Sequence, residues 1–447
     1  MNPLSAWPVV AVALLALGTA FLLLRTRRPE PATSARFLSI DGLRGYLALG
    51  VFLHHSAVWY FYLRTGQWAV PPSKLYAQLG QSSVMLFFMI TGFLFWSKLL
   101  DARTRPMSWS KLYISRVFRL TPLYAFATVC LVLASLYAAG FQFKEPLLAV
   151  ATHTSQWLCF TLAGTPPING FAETGQLLGV GWSLRYEWLF YASLPIGALL
   201  LRISPLAHFG RGAGGEGVPT VSPRPGTMYS WLTGEGQGVR AAGYLPLPWL
   251  LFGLAATAAI AWLIPGLNTM MLLGFGGGII AAHVVRIEPL RRQLVGAIWS
   301  LVAAAALLAI VRFFPSAYSL PVMGLLTLAF TIIACGNSLF GILHWPASRL
   351  LGEVTYSIYL LHNFALFIAF RVVFGQSSAT LSPTAYCLVI CGLSPLLVLV
   401  CYATYHWIEV PAMAAAPKCH AWLMSRWTRR GSVAKPISKP ILEHNAA

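Results

Sequence analysis

An all-α polytopic membrane protein is the fold class that this sequence predicts, on three observations. Of the 447 residues, 57% are hydrophobic and only 10% charged, and the mean hydropathy is +0.68. Soluble domains carry far more charge. The apolar residues fall in runs of about twenty, the length that crosses a bilayer as a helix. The net charge of +19 lies in short clusters between those runs, not on one soluble face. That pattern excludes a nucleic-acid-binding protein and fits the loops on one side of a membrane. The seven cysteines lie mostly inside apolar runs and form no CxxC pair. Neither a disulfide scaffold nor a metal site is expected.

Taken in order, residues 4–24 form a first apolar run, followed at once by Arg25, Arg27 and Arg28. A cleaved signal carries its basic residues before the apolar core, so this run reads as a retained helix with its N-terminus outside. The second run, 37–62, opens with Asp41-Gly42-Leu43-Arg44-Gly45 and is then apolar save for His54 and His55. Further spans are expected at 78–100, 120–139 and 182–201. Three pairs complete the set, at 246–265 with 270–285, 294–313 with 320–339, and 355–374 with 385–406. About eleven crossings result, with the C-terminus in the cytoplasm. Basic residues support this orientation, since the outer loops hold only Arg64, Lys74, Lys144, Arg312 and Arg371, with Arg185 near the outer mouth of its span. Residues 145–164 are apolar enough to cross, but a crossing there would move Arg202 through Arg240 outside. They read as an outer-leaflet or re-entrant segment. Residues 203–245 are rich in Gly and Pro without apolar periodicity, and read as a flexible cytoplasmic linker.

The few ionisable residues inside the runs carry the functional expectations, because such groups are costly in a bilayer. From Arg44 to His55 a helix makes three turns plus about 20°, so the two share a face roughly 16 Å apart. Asp41 falls within about 40° of that face, and His54 points about 100° away from His55. With Arg44 at one membrane surface, His55 sits near the midplane. His54 is expected to bond a neighbouring backbone carbonyl. Glu187 is the only carboxylate well inside a span, about two turns below the outer surface, and suits either an ion pair or a proton carrier. His362 lies about two turns into its span from the cytoplasm, either lining the interior or packing helices. Glu409 closes the last span and reads as a helix-end anchor. Arg116 and Arg119, at i and i+3 before Pro122, present two guanidinium forks suited to phosphate, although on spacing alone ordinary basic flanking is the better reading.

Several of these fragments together resemble the acyltransferase-3 family of integral membrane acyltransferases. The family's D-G-L-R-G-like turn with a histidine eleven residues after its Arg is matched by Arg44 and His55. Its G-V-x-x-F-F-x-x-S-G-F-like helix is matched from Ser83 to Phe93, with Thr91 in place of the usual Ser and Met85 where many members carry Asp. R-x-x-R before P-x-Y is matched by Arg116, Arg119, Pro122 and Tyr124, and W-S-L-x-x-E-x-x-F-Y by Trp182 to Tyr191. L-G-x-x-S-Y-x-x-Y-L-x-H is matched from Leu351 to His362, with Thr355 for Ser, and the closing E-x-P by Glu409 and Pro411.

The resemblance implies a ten-helix core over 37–411, preceded by an extra helix and basic linker at 1–36 and followed by a basic cytoplasmic tail at 412–447. It implies a cell inner-membrane enzyme that moves an acyl group, most often acetyl, from acyl-CoA on the cytoplasmic side to a hydroxyl of a glycan or glycosylated acceptor. His55, Glu187 and Arg44 would be catalytic, with His55 as general base or acyl carrier and Glu187 orienting its imidazole. Arg116 and Arg119 would bind acyl-CoA, and Asp41, Thr91, Trp182, Tyr356 and His362 would support the site. Acetyl-CoA enters as a co-substrate and no tightly bound cofactor is implied. A transporter or flippase of a lipid-linked sugar is the alternative, since many spans with buried His and Glu suit it too.

Overall fold

In the computed structural model, residues 4–26, 37–102, 107–201, 247–263 and 268–432 are described. The linker expected at 203–245 and the end of the expected tail lie outside the described residues. In chain order the helices are α1 (Trp7–Arg25), α2 (Leu38–Thr65), α3 (Lys74–Asp101), α4 (Trp109–Ala138), α5 (Leu147–Leu158), α6 (Thr174–Leu177), α7 (Trp182–Leu200) and α8 (Leu247–Leu263). There follow α9 (Thr269–Val284), α10 (Glu288–Leu294), α11 (Ala297–Phe313), α12 (Leu320–Ala334), α13 (Pro346–Glu353), α14 (Thr355–Phe367), α15 (Pro383–Thr404) and α16 (Val410–Ser432). Apart from one isolated bridge between Ile168 and Phe171, no strand occurs among the described residues. The protein is an all-α, multi-pass membrane protein.

Large apolar side chains such as Leu14, Val129, Leu133, Leu301, Leu308, Leu388 and Leu396 are exposed on α1, α4, α11 and α15. A surface of that kind is stable against lipid and costly against water. By length and hydropathy, α1, α3, α4, Thr355–Val373 and Pro383–Arg426 each suffice to cross, and the bent pair α9–α10 adds a sixth. The shorter α11 and α12 are also apolar. α2 and α7 are long enough but more polar, because they carry the ionisable residues, and both are largely buried among other helices.

α2 is the axis of the bundle, buried along most of its length from Ser39 to Tyr60. It packs against α3, α13 and α14. Glycine makes the closest of these approaches. A methyl group on Gly352 would lie 1.8 Å from the carbonyl oxygen of Asp41, and one on Gly42 would lie 2.0 Å from that of Leu343. The D-G-L-R-G turn and the L-G segment near residue 351 are therefore one contact, backbone against backbone. Two hydrogen bonds fasten it, Ser39 Oγ with His344 Nε2 and Tyr46 Oη with Ser348 Oγ, each 2.8 Å.

Three elements differ from the sequence expectation. α4 begins at Trp109 and not near residue 120, because Ser108 caps it by accepting from the Lys111 amide. Lys111, Arg116 and Arg119 thus sit on the helix itself. The segment expected to lie in the outer leaflet or re-enter forms α5, only twelve residues long and too short to cross. Beyond it the chain descends into the bundle: Phe160 stacks on Tyr124 at 4.6 Å, and Thr161 donates to the carbonyl of Gly181. Tyr124 is about 22 Å along α4 from Trp109, so α7 starts about halfway down α4. The last expected span does not stop at 406 but passes through a π turn (Tyr405–Glu409) directly into α16.

Candidate active site

His55 on α2 and His362 on α14 meet, their ring centroids 4.9 Å apart and His362 Nε2 3.0 Å from His55 Nδ1. Each ring is also tethered to its own helix. His362 Nδ1 lies 3.1 Å from the carbonyl oxygen of Ile358, and His55 Nδ1 lies 3.1 Å from that of Val51. A carbonyl oxygen only accepts, so each Nδ1 carries the hydrogen of a neutral ring. His362 Nε2 is then the acceptor, and His55 Nδ1–H donates to it and to Val51. The remaining nitrogen, His55 Nε2, keeps its lone pair. This is the state in which an imidazole takes a proton from a hydroxyl.

Around the pair the lining is aromatic and uncharged. Trp68 stacks on His55 at 6.2 Å, and Trp59 Nε1 donates to Asn363 Oδ1 at 3.3 Å, while Asn363 Nδ2 is buried without a partner. Ser183 Oγ and the Tyr359 hydroxyl are 2.8 Å apart. His54 turns the other way, its Nδ1 2.8 Å from the carbonyl of Tyr76 and its ring against Gly80, where no side chain larger than hydrogen fits. His54 is a packing residue.

Toward the N-terminus of α2 the lining becomes charged. Arg44 lies 3.9 Å from Asp41. Glu187 accepts a hydrogen bond from Tyr191 and faces Arg116, Arg119 and Arg44. Glu409, in the π turn and fully buried, accepts from Ser357 at 2.5 Å and faces Arg119 and Arg44. Tyr356 lies near both carboxylates and donates to the carbonyl of Leu120 at 2.9 Å. Arg119 Nη1 points at Met413 Sδ, 3.1 Å away. Three buried polar atoms in or beside this vestibule have no partner: Arg116 Nε, Glu409 Oε2 and the Tyr124 hydroxyl. Buried orphans of both signs suit a polar ligand. Two to three helical turns separate the two regions: Tyr356 lies six residues, about 9 Å, before His362 along α14, and Arg44 lies eleven residues, about 16 Å, before His55 along α2.

At the opposite end of the bundle the chain after α5 forms a cleft of about 410 Å³ lined by Trp68, Thr165, Pro167, Ala172, Gly175 and Gln176. Its Trp68 is the residue that covers His55. Glu173 fastens this loop, accepting from Tyr62 at 2.8 Å and pairing with Arg371.

Of the residues expected from sequence, His55 and His362 are brought together, and Arg44, Asp41, Arg116, Arg119, Glu187 and Tyr356 form the charged vestibule. Two expectations are corrected. Glu187 does not orient His55; its partner is Tyr191, and His362 holds the imidazole instead. Glu187, expected about two turns below the outer end of a full span, lies instead among Arg44, Arg116 and Arg119, because α7 begins about halfway down α4. Thr91 is half-buried on α3 and takes part in none of the hydrogen bonds described at the site. Trp182 packs edge-on against Phe88 and Tyr186 at the start of α7. Glu409, expected as a helix-end anchor, sits inside the vestibule, at the end of the π turn. Trp68 carried no signal beyond an aromatic residue in a polar loop.

A comparison with curated proteins and one with solved structures found no match. A family model described as an acyltransferase domain matches residues 37–406, a stretch that takes in α2, α4, α7 and α14 and every vestibule residue named above except Glu409 and Met413. The paired histidines beside a charged vestibule therefore lie within a family domain that spans most of the chain: this protein belongs to the acyltransferase-3 family of membrane acyltransferases.

Proposed function

We propose that the protein transfers an acyl group, acetyl foremost, from acyl-CoA to a hydroxyl of a glycan or other glycosylated acceptor at the inner membrane of the cell. The observation that carries this reading is the free lone pair on His55 Nε2, fixed there by two backbone carbonyls and His362. The acceptor hydroxyl gives its proton to His55 Nε2 as its oxygen attacks the thioester carbonyl. The carbon–sulfur bond then breaks, and the coenzyme A thiolate takes the proton from the imidazolium. His362 Nε2 accepts from His55 Nδ1–H throughout, which steadies the ring while it is charged.

Basic residues gather at the N-terminal end of α2, which supports a cytoplasmic position for that end and an outside position for the N-terminus of α1. The donor enters there, and its phosphates meet the vestibule's cations. The acceptor comes from the opposite end, through the cleft floored by Trp68. A transporter would move its cargo without releasing coenzyme A. Purified protein in lipid nanodiscs, given acetyl-CoA and cell-surface glycan, should release free thiol and add acetyl mass to the glycan. Binding of both without thiol release would overturn the enzymatic reading. His55→Ala should lower the rate by about 10²–10⁴.

A further inference from the structure

Beyond the histidine pair lies a buried donor that no group among the described residues satisfies. Asn363 follows His362 on α14 and is only 1% exposed. The sense of its amide is fixed by Trp59 Nε1, which can only donate, so the atom it meets at 3.3 Å is Oδ1. Nδ2 then keeps both its N–H groups without a partner. Most buried amides are paired, because an unmet N–H loses its water and gains nothing in return. Trp59 itself stands one helical turn after His55 on α2. On both helices a vestibule residue comes before the histidine, Tyr356 on α14 and Arg44 on α2, while Asn363 and Trp59 come after it. The orphan therefore belongs to the side of the pair away from the vestibule.

Trp68 connects that side with the cleft. It lines the cleft, stacks on His55 at 6.2 Å and meets Trp59 edge-on at 5.6 Å and Tyr62 at 5.3 Å. It makes no hydrogen bond among the described residues. The chain reaches it through Gly66, whose φ of +70° ends α2, and its neighbours Gln67 and Ala69 are exposed. Another flat ring can thus replace it over His55 at small cost. The cleft lining carries no charge but offers the Thr165 hydroxyl and the Gln176 amide, and Glu173 beside them is already taken by Tyr62 and Arg371. An aromatic face with amide and hydroxyl groups suits a sugar ring, apolar on its faces and oxygen-bearing at its edge.

We propose that Asn363 binds the acceptor: its Nδ2 donates to a sugar oxygen next to the hydroxyl that gives its proton to His55, and the sugar ring takes the place of Trp68 over the imidazole. The inference rests on the acyl-transfer reading with His55 as base. Its rival is that Asn363 serves only to satisfy the Trp59 N–H. Initial rates of thiol release in nanodiscs, with acetyl-CoA and cell-surface glycan each varied, separate the two. Asn363→Leu should raise the acceptor KM by about tenfold at unchanged donor KM. That variant strands the Trp59 N–H, so the deciding protein combines Asn363→Leu with Trp59→Phe, which makes both partners apolar. The double variant should keep the raised acceptor KM, and it decides alone if Asn363→Leu fails to fold. Recovery of the wild-type acceptor KM there, or a defect confined to kcat or to the donor KM, overturns the assignment and leaves acyl transfer standing. Absence of thiol release by wild type sinks the acyl-transfer reading and the assignment together.

Discussion

The histidine pair and the charged vestibule lie about 9 to 16 Å apart along α14 and α2 and are built on opposite principles. The pair is neutral, aromatic-walled and locked by hydrogen bonds from the two rings to their own helices. The vestibule is crowded with charge, and some of its buried polar atoms lack partners. A group that must accept a proton gains from a site where each hydrogen is already assigned, because nothing has to rearrange at the moment of transfer. A binding site for a highly charged ligand gains from unmet charge, since the ligand completes what the protein leaves open. On the proposed function, the difference teaches that placement of chemistry and capture of a ligand can be kept on separate residues only two or three helical turns apart.

Substitutions in the two regions should therefore fail differently. His55→Ala gives the largest loss in turnover, as stated above, with donor affinity unchanged; a matching loss of donor affinity would mean that the regions are not separate. Arg116→Glu comes next. Removing a charge-assisted contact and adding repulsion should raise the donor KM by roughly 10–100-fold with a smaller change in kcat, measured from initial rates of thiol release. His362→Ala removes the acceptor that holds His55 Nδ1–H, and kcat should fall by about tenfold at constant donor KM. His362→Asn, which keeps an acceptor on the same helix, should recover part of it. The smallest effect belongs to His54→Ala, a change of roughly threefold or less in kcat, accompanied by a lower melting temperature from the space opened against Gly80. A larger loss of kcat there would give His54 a part in the chemistry.

Much of this arrangement was legible in the sequence. An apolar run with two histidines and a charged foot has few physical explanations, and the eleven-residue spacing from Arg44 selects His55 because α2 is one unbroken helix. Glu187 was harder to place. Its run looks like a full crossing from its length, and only the tertiary descent of residues 160–181 shows that α7 starts at mid-depth. Glu409 was obscured by the π turn, which changes the facing that α-helical periodicity would assign. The bond between His55 and His362 depends on helix placement, which no local pattern encodes.

One further consequence concerns how the molecule is made. Ser39, Tyr46, His55 and Trp59 each find a partner in residues 344–363, about three hundred positions later in the chain. A ribosome adding about 5–20 residues per second needs tens of seconds to cover that distance. Throughout that time α2 is in or near the bilayer with Asp41, Arg44 and His55 lacking the late helices that pack on them, whereas His54 finds Tyr76 and Gly80 on the next helix. The glycine contact with residue 352 cannot form until the last third of the protein has emerged. The helix that carries the catalytic candidate is thus among the first to be synthesised, while its contacts with residues 344–363 are among the last to form.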